Sequence, residues 1–387
     1  MLTTLAIANY RSLRELIVPL GPLNVVTGPN GSGKSNLYRA LRLLALTARG
    51  GVIPSLAREG GLQSTLWAGP ERFSRAVLEG AVPVQGTVRK DVVSLRLGFA
   101  GDAFGYVIDL GLPTASTSQF ALDPVIKREC IWSGPLLRPS ALLVDRQGPA
   151  IRIRDEAGDW TTLAQPVASF DSMMSEFADP RSAPEMIAVR EQIRSWRFYD
   201  HFRTDELAPA RQVQIGTHSP VLSDDGANLA AALQTIREIG DSEALDTAVA
   251  DAFPGARVEI VNHEGRFELA LRQQGLLRPL RAAELSDGTL RYLLLAAALL
   301  SPRPPALLVL DEPETSLHPD LLASLARLIA RASRHSQVLV VSHAARLVAA
   351  LEREEGSRSI VLERKLGATA LADAEALDLP PWKWPSR

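Results

Sequence analysis

Cysteine occurs once in the 387 residues, at position 130, so no internal disulfide can staple the chain and a reducing, cytoplasmic compartment is expected. Cys130 itself reads as a small buried hydrophobe. The longest apolar run, residues 293–300, falls far short of the roughly twenty residues that span a bilayer, and no charged-then-apolar leader opens the sequence, so no membrane partner is expected. Lysine is confined to positions 34, 90, 127, 365 and 383, and the formal net charge of −2 gives no global electrostatic case for nucleic acid. A local basic face stays open. Arg190, Arg194, Arg197, Arg203 and Arg211 bunch around Trp196 and Tyr199, and arginine with aromatics can serve phosphate contact and base stacking. A solvated helix face is the plainer reading. Apolar heptads are nowhere sustained, which excludes a long coiled coil, and neither internal repeats nor low-complexity tails occur. The 46% hydrophobic content is enough for one large core or two modest ones.

One of the few lysines stands in the most informative segment. Residues 28 to 36 are Gly28, Pro29, Asn30, Gly31, Ser32, Gly33, Lys34, Ser35 and Asn36, which satisfy the pattern GxxxxGK(S/T). Glycines there let backbone N–H groups close around the α- and β-phosphates of a nucleoside triphosphate. Lys34 would reach the β- and γ-phosphates, the Ser35 hydroxyl would ligate Mg²⁺, and the helix beginning here would aim its positive end at the anion. Leu23, Asn24, Val25 and Val26 suit a buried strand before the loop, and Leu37, Leu41 and Leu44 recur at helical spacing after it.

Along the rest of the chain, two strands are expected in the first twenty residues, about a turn at Tyr10, Arg11 and Ser12. A Gly/Pro-rich passage over residues 50–70 is expected to break regular structure. From Ala76 to Arg154 the period is two: Val93, Leu95, Leu97 and Phe99 alternate with Ser94, Arg96 and Gly98, predicting antiparallel strands with one wet face. Helical character begins near Ser169 and is punctuated by Pro180, Pro184 and Pro209. A second hairpin then sets Val258 and Ile260 against Phe267, Leu269 and Leu271. This gives three parts: 1–165 with the loop and an antiparallel lobe, 166–255 as a mostly helical insertion, and 256–387.

The last part carries further chemistry. Residues 306–310 form a continuous apolar run, read as a buried parallel strand, which ends in Asp311, Glu312 and Pro313. Adjacent carboxylates at such a position are costly unless a cation or water uses them. Asp311 is the expected Mg²⁺ partner and Glu312 the group that polarises the attacking water. Upstream, Ser286 and Gly288 stand where a buried helix begins and offer an anion site or a plain cap. Downstream, an apolar strand over residues 337–341 leads to Ser342 and His343. The helix between the two strands has the length of a βαβ crossover, which brings His343 to the same edge as Asp311.

Taken in order, the phosphate loop, LSDGT, VLDEPETSLHP and VVSH resemble the ABC-type ATPase heads, within the SMC, RecF and OLD-like branch of predicted AAA-family ATPases. The resemblance runs through nearly the whole chain in motif order. It implies an α/β P-loop NTPase fold of ABC-ATPase type, a mixed sheet with an antiparallel β lobe and a helical insertion. It also implies that residues 28–36 are the Walker A loop and that Ser286 to Thr289 are the signature. Asp311 and Glu312 would be the Walker B pair, residues 316–319 the D-loop and His343 the switch histidine. Arg11 would lie near the nucleotide. The family's Q-loop glutamine, a metal-side residue, has Gln165 as its candidate here, with Gln147 behind it.

The cofactors implied are ATP and Mg²⁺, and the activity is ATP hydrolysis. In such heads the signature of one subunit binds the γ-phosphate held by the other, so an ATP-dependent homodimer is implied. LSDGT in place of the transporter-type LSGGQ, and the long stretch from loop to signature, favour DNA repair or anti-phage defence over transport. DNA, or an effector protein such as a nuclease or toxin, is the expected partner. The segment after His343 is too short for the nuclease domain that OLD proteins append, so a nuclease would come from a partner.

Overall fold

A computed structural model describes residues 1–70, 77, 92, 94–113, 119–155, 157–177, 179–372 and 379–387. Ala76 and Val93 of the expected alternating stretch lie outside them. The residues pack as two compact units. Unit 1 comprises Met1–Gly21, Thr27–Ser195 and Ile360–Arg387, and unit 2 comprises Pro22–Val26 and Trp196–Ser359. Division by packing interleaves the chain, whereas the division at 165 and 255 follows motif order.

Unit 1 is built on an antiparallel sheet. Its strands are β1 (Leu2–Tyr10), β2 (Leu13–Pro19), β4 (Leu95–Gly101), β5 (Phe104–Gly111), β6 (Val125–Ser133), β7 (Leu142–Gln147), β8 (Ala150–Arg154) and β9 (Trp160–Thr162), in the order β2-β1-β4-β5-β6-β7-β8-β9. Helix α1 (Lys34–Ala45) follows the phosphate loop. The Gly/Pro-rich passage is not irregular as expected: it holds α2 (Val52–Arg58) and α3 (Leu62–Thr65). Pro54 falls in the first turn of α2, where a missing N–H is tolerated, and Gly60 and Gly61 (φ 93° and 85°) stop it. Helices α4 (Met173–Glu176) and α5 (Pro184–Ser195) and a hairpin of β17 (Ser357–Lys365) and β18 (Ala368–Leu371) complete the unit, β17 entering it at Ile360.

The expected wet face of the β4–β7 region is covered. Trp382 and Trp384 of the C-terminal segment pack with Trp132, the ring of Trp382 lying 5.8 Å from Trp132 and 5.2 Å from Trp384. Glycine makes the room: a Cβ on Gly98 would meet the Trp382 ring at 3.0 Å, and one on Gly105 would lie 2.1 Å from Trp132. Arg387 then closes on the buried Asp109 at 2.7 Å. Alternation could not reveal this cover, because the covering residues lie more than two hundred positions along the chain.

On the opposite face Glu129 and Arg146 are both 0% exposed and paired at 2.6 Å. Glu129 also accepts from Tyr106 Oη (2.6 Å), Ser172 Oγ (2.5 Å) and the Met173 amide (2.9 Å). Burial, and then the Glu129 charge, pushes the Tyr106 phenol well above its ordinary value, so it stays a donor. Replacing Glu129 with alanine strands a guanidinium without counter-charge, and such losses cost about 3–5 kcal/mol. Urea unfolding of Glu129→Ala is therefore expected to show an unfolding free energy lower by about that amount, and an unchanged free energy would mean that Arg146 finds another partner.

Unit 2 is centred on a parallel ribbon. Strands β3 (Leu23–Thr27, to Val26 in this unit), β10 (Arg197–Tyr199), β15 (Leu307–Asp311) and β16 (Gln337–Val341) run in the order β10-β15-β16-β3. Residues 307–310 of β15 and 338–341 of β16 are continuous apolar runs, as double-sided burial requires. Helices α6 (Leu229–Ile239), α7 (Ser242–Ala252), α8 (Asp287–Leu299), α9 (Leu321–Ala332) and α10 (Ala345–Leu351) pack around them, α9 being the crossover from β15 to β16. From Leu290 to Leu299 every residue of α8 is buried, because its apolar side chains face the core on all sides. A second sheet pairs β11 (Gln214–Ile215), β13 (Arg266–Arg272) and β12 (Arg257–His263), with β14 (Leu280–Arg281) on β13. The expected hairpin is present, with Val258 opposite Leu271 and Ile260 opposite Leu269. Its two-residue turn puts Glu264 and Gly265 at φ 53° and 82°, the geometry that suits the twist of the strands.

Candidate functional site

In unit 1 the loop of residues 28–33 is held tightly from one side. Ser12 Oγ and Thr369 Oγ1 share a hydrogen bond of 2.7 Å, Thr369 Oγ1 donates to the Ser32 carbonyl (2.7 Å), and Asn36 Nδ2 donates to Ser12 Oγ (2.8 Å). This cluster explains Gly33, and the Leu362 carbonyl explains Gly28. A Cβ on Gly33 (φ 110°) would lie 2.1 Å from Thr369 Oγ1, and one on Gly28 (φ 142°) would lie 2.2 Å from the Leu362 carbonyl. Gly31 (φ 78°) faces open space, with its nearest neighbour, Arg364, at 3.9 Å. Pro29 and Asn30 form the exposed tip.

The loop fits a phosphate chain. Helix α1 starts at Gly33 with no side-chain cap and no acidic residue in its first turn, so its N-terminal amides keep their pull on an anion. Lys34 Nζ donates to the carbonyls of Gly28 (2.7 Å) and Pro29 (3.2 Å), within the loop's own span. Ser35 is exposed on the first turn of α1. Ser32 Oγ is buried and has no hydrogen-bond partner among the described residues.

Arg11 stands in the β1–β2 turn in a left-handed conformation (φ 49°), and its guanidinium is engaged by Glu59 at 2.6 Å, to which Tyr10 Oη also donates at 2.9 Å. Its neighbour Ser12 is the residue that touches the loop assembly. Gln165 is exposed in the bend after β9, at the opposite edge of the sheet from β2, and the structure does not bring it to the loop. Gln147 ends β7 and donates to Asp145 Oδ2 at 3.3 Å.

In unit 2 the C-terminal ends of three strands line up, with Asp311 opposite Val341 and Val341 opposite Val26. The chain passes from β3 directly into the loop at residue 28. Glu312 follows Asp311 in a left-handed conformation (φ 48°), which costs a non-glycine residue of order 1–3 kcal/mol. Its amide donates to the Val341 carbonyl (2.8 Å), and Arg291 Nη2 donates to its carbonyl (3.1 Å). His343 Nδ1 lies 3.4 Å from Glu312 Oε1, and both side chains are open to solvent. Buried Glu314 accepts from Ser342 Oγ (2.7 Å) and from the amides of His343 (3.0 Å) and Ala344 (3.2 Å). Burial pushes the Arg291 guanidinium below its ordinary value, against the opposing pull of Glu314, Asp200 and Glu312.

Ser286 caps α8, its Oγ accepting from the Thr289 amide at 3.2 Å, and it is exposed. Gly288 has a packing reason: a Cβ there would sit 2.9 Å from the carbonyl of Ser316, itself at φ 66°. Arg211 clasps the turn before the helix, donating to the carbonyls of Ala282 (2.7 Å) and Leu285 (2.8 Å) and to Asp287 Oδ1 (2.8 Å). The arginine and aromatic bunch is therefore not a stacking platform. Trp196 is 1% exposed and Tyr199 is 4% exposed, so neither ring can meet a base, and Arg211 is consumed by the turn before α8. Sequence reasoning missed Thr369, Glu314 and Arg291 altogether, and it named Ser12 only as a turn residue and Arg211 only as part of the arginine bunch. Only Glu314 carried a local signal, a third carboxylate three residues after Asp311.

Among the described residues no helix is long and apolar enough to cross a membrane, and no group of three or more His, Cys, Asp or Glu is set to hold a metal ion alone. Over 56 residues the chain is 45% identical to an OLD nuclease of Thermus scotoductus, a match covering 14% of this chain and 10% of that protein. It thus spans about a tenth of the curated relative's length. In fold it is similar to an SMC head solved bound to the C-terminal winged-helix domain of ScpA, with 15% identity, a TM-score of 0.50, and coverage of 96% of this chain and 97% of that one. An SMC head domain from Thermotoga maritima aligns with 15% identity and a TM-score of 0.45, over 97% and 99% of the two chains. Residues 23–349 match the family described as "AAA domain, putative AbiEii toxin, Type IV TA system". The chain belongs to that family and has the fold of an ABC-type, SMC-like ATPase head.

Proposed function

We propose that this protein hydrolyses ATP with Mg²⁺ as an ATP-gated homodimer acting in DNA repair, recombination or anti-phage defence. One observation carries the reading: Glu312, held in a strained turn at the end of β15, has His343 Nδ1 3.4 Å from its carboxylate. A solvent-open carboxylate oriented by an imidazole is the arrangement a general base for water needs.

In this reading the backbone N–H groups of residues 30–34 bind the α- and β-phosphates and Lys34 Nζ the β- and γ-phosphates, exchanging the bonds that Lys34 makes to Gly28 and Pro29. Ser35 Oγ and Asp311 would each offer Mg²⁺ an oxygen ligand, and the ion would draw charge from the phosphate oxygens. One hydroxyl and one carboxylate suffice, because Mg²⁺ in such sites keeps water and phosphate as its other ligands. Glu312 takes the proton of the attacking water, and His343 holds that carboxylate in place. Ser286, exposed with the first amides of α8, binds the γ-phosphate held by a second copy.

ATP turnover and light scattering, with and without DNA, test this. The wild type should hydrolyse ATP and form dimers with ATP. Ser286→Arg should bind ATP normally while staying monomeric, and loss of nucleotide binding instead would place the serine in its own subunit's site.

A second reading is a regulatory ATPase that clamps a protein effector such as a nuclease or toxin without touching DNA. The burial of Trp196 and Tyr199 supports it, since it removes the one stacking surface legible in the sequence. The SMC head solved with a ScpA domain is a precedent for a protein partner on this fold. Hydrolysis stimulated by DNA with a steep salt dependence favours the first reading, and co-purification with indifference to DNA favours the second.

A further inference from the structure

Glu314 has no part in the chemistry above, yet its side chain is 7% exposed. Burying a carboxylate costs several kcal/mol unless hydrogen bonds and a counter-charge repay it. Oε1 is repaid threefold, by the Ser342 hydroxyl and the amides of His343 and Ala344. Oε2 is buried without a hydrogen-bond partner. The charge that attracts it is Arg291, itself 4% exposed, which makes no direct ion pair with Glu314 and whose Nη2 donates to the Glu312 carbonyl at 3.1 Å. His343 Nδ1 stands 3.6 Å from Glu314 and 3.4 Å from Glu312.

We infer that Glu314 is a positioning residue for hydrolysis, a buried collar that fixes residues 342–344 so that the His343 ring stands beside Glu312. The inference rests on the hydrolytic reading above and deepens it. Residues 342–344 lie between the end of β16 and the start of α10, so neither the strand ladder nor the helix satisfies the amides of His343 and Ala344. Without an acceptor those amides turn to solvent, and the imidazole gains freedom to leave Glu312. Arg291 holds the other half, the main chain of Glu312, from α8, the helix that Ser286 caps. Two buried charges, Glu314 and Arg291, thus stand between the helix that Ser286 caps and residues 312 and 343 of the same subunit.

The test is kcat and KM for ATP in Glu314→Ala, Glu314→Gln, Ser342→Ala, His343→Ala and the Glu314→Ala/His343→Ala double variant. Misplacing a catalytic group by about 1 Å costs up to about 100-fold, so Glu314→Ala should lose about 10- to 100-fold in kcat with KM little changed. Glu314→Gln, which keeps an acceptor, should recover most of that loss. Because Glu314 acts through His343, the double variant should turn over no more slowly than His343→Ala alone. Losses that multiply, or wild-type kcat in Glu314→Ala, would overturn the assignment. If Glu314→Ala does not fold, Ser342→Ala, which removes one arm of the collar, runs the same cycle against His343→Ala. No turnover in the wild type brings down the hydrolytic reading and this inference together, whereas turnover with a multiplicative cycle removes only the role of Glu314.

Discussion

Glu312→Gln is expected to bind ATP as tightly as the wild type while losing about 10²- to 10⁴-fold in turnover, the usual worth of a positioned general base. Glutamine preserves size, the left-handed backbone and the hydrogen bond from Arg291 to the carbonyl, so binding and fold should survive. What disappears is the basic oxygen 3.4 Å from His343 Nδ1. Since hydrolysis would release the pair, the variant should also accumulate as a dimer with ATP. Single-turnover rates and light scattering read the two effects separately. Turnover near the wild-type rate would remove Glu312 as the base, and a monomer under saturating ATP would remove the shared site while leaving the base in place.

The second large effect concerns the loop. Gly33→Ala adds a Cβ that would stand 2.1 Å from Thr369 Oγ1, at a φ of 110° that no alanine adopts comfortably. Something must move, and Thr369 is tied to Ser12 and to the Ser32 carbonyl, so the loop moves. Strain of about 2–3 kcal/mol corresponds to roughly 30- to 150-fold weaker ATP binding. Gly31→Ala is the control: it also has positive φ, but the space around it is open, so it should lose about tenfold, for a left-handed penalty of 1–2 kcal/mol. Isothermal titration of both variants decides the matter. Equal losses would mean that backbone conformation alone, and not the approach of Thr369, makes glycine necessary at position 33. A Thr369→Ser change in the Gly33→Ala background cannot relieve the clash, because it keeps the offending oxygen.

The sheet reading illustrates where pattern stops. Alternation over β4 and β5 located those strands, since period two is a property of the strand itself. It also predicted water on one face, and there it failed, because Trp382 and Trp384 cover that face. The helical passage over residues 50–70 escaped notice for the converse reason. Glycine at its boundaries dominated the local signal, although only the boundaries needed it.

The sequence by itself determined the phosphate loop, the carboxylate pair at a strand end, the helix-capping serine and the histidine after the next strand. Each is a contiguous motif whose chemistry depends on neighbours within a few residues. Only the tertiary structure decided what holds those groups: Thr369 and Ser12 at the loop, Glu314 and Arg291 at the strand edge, Arg211 at the turn before α8. It also decided that Trp196 and Tyr199 are core. A supporting contact is a matter of distance in space between residues tens to hundreds of positions apart, and residue order fixes such distances only through the packing of the whole unit.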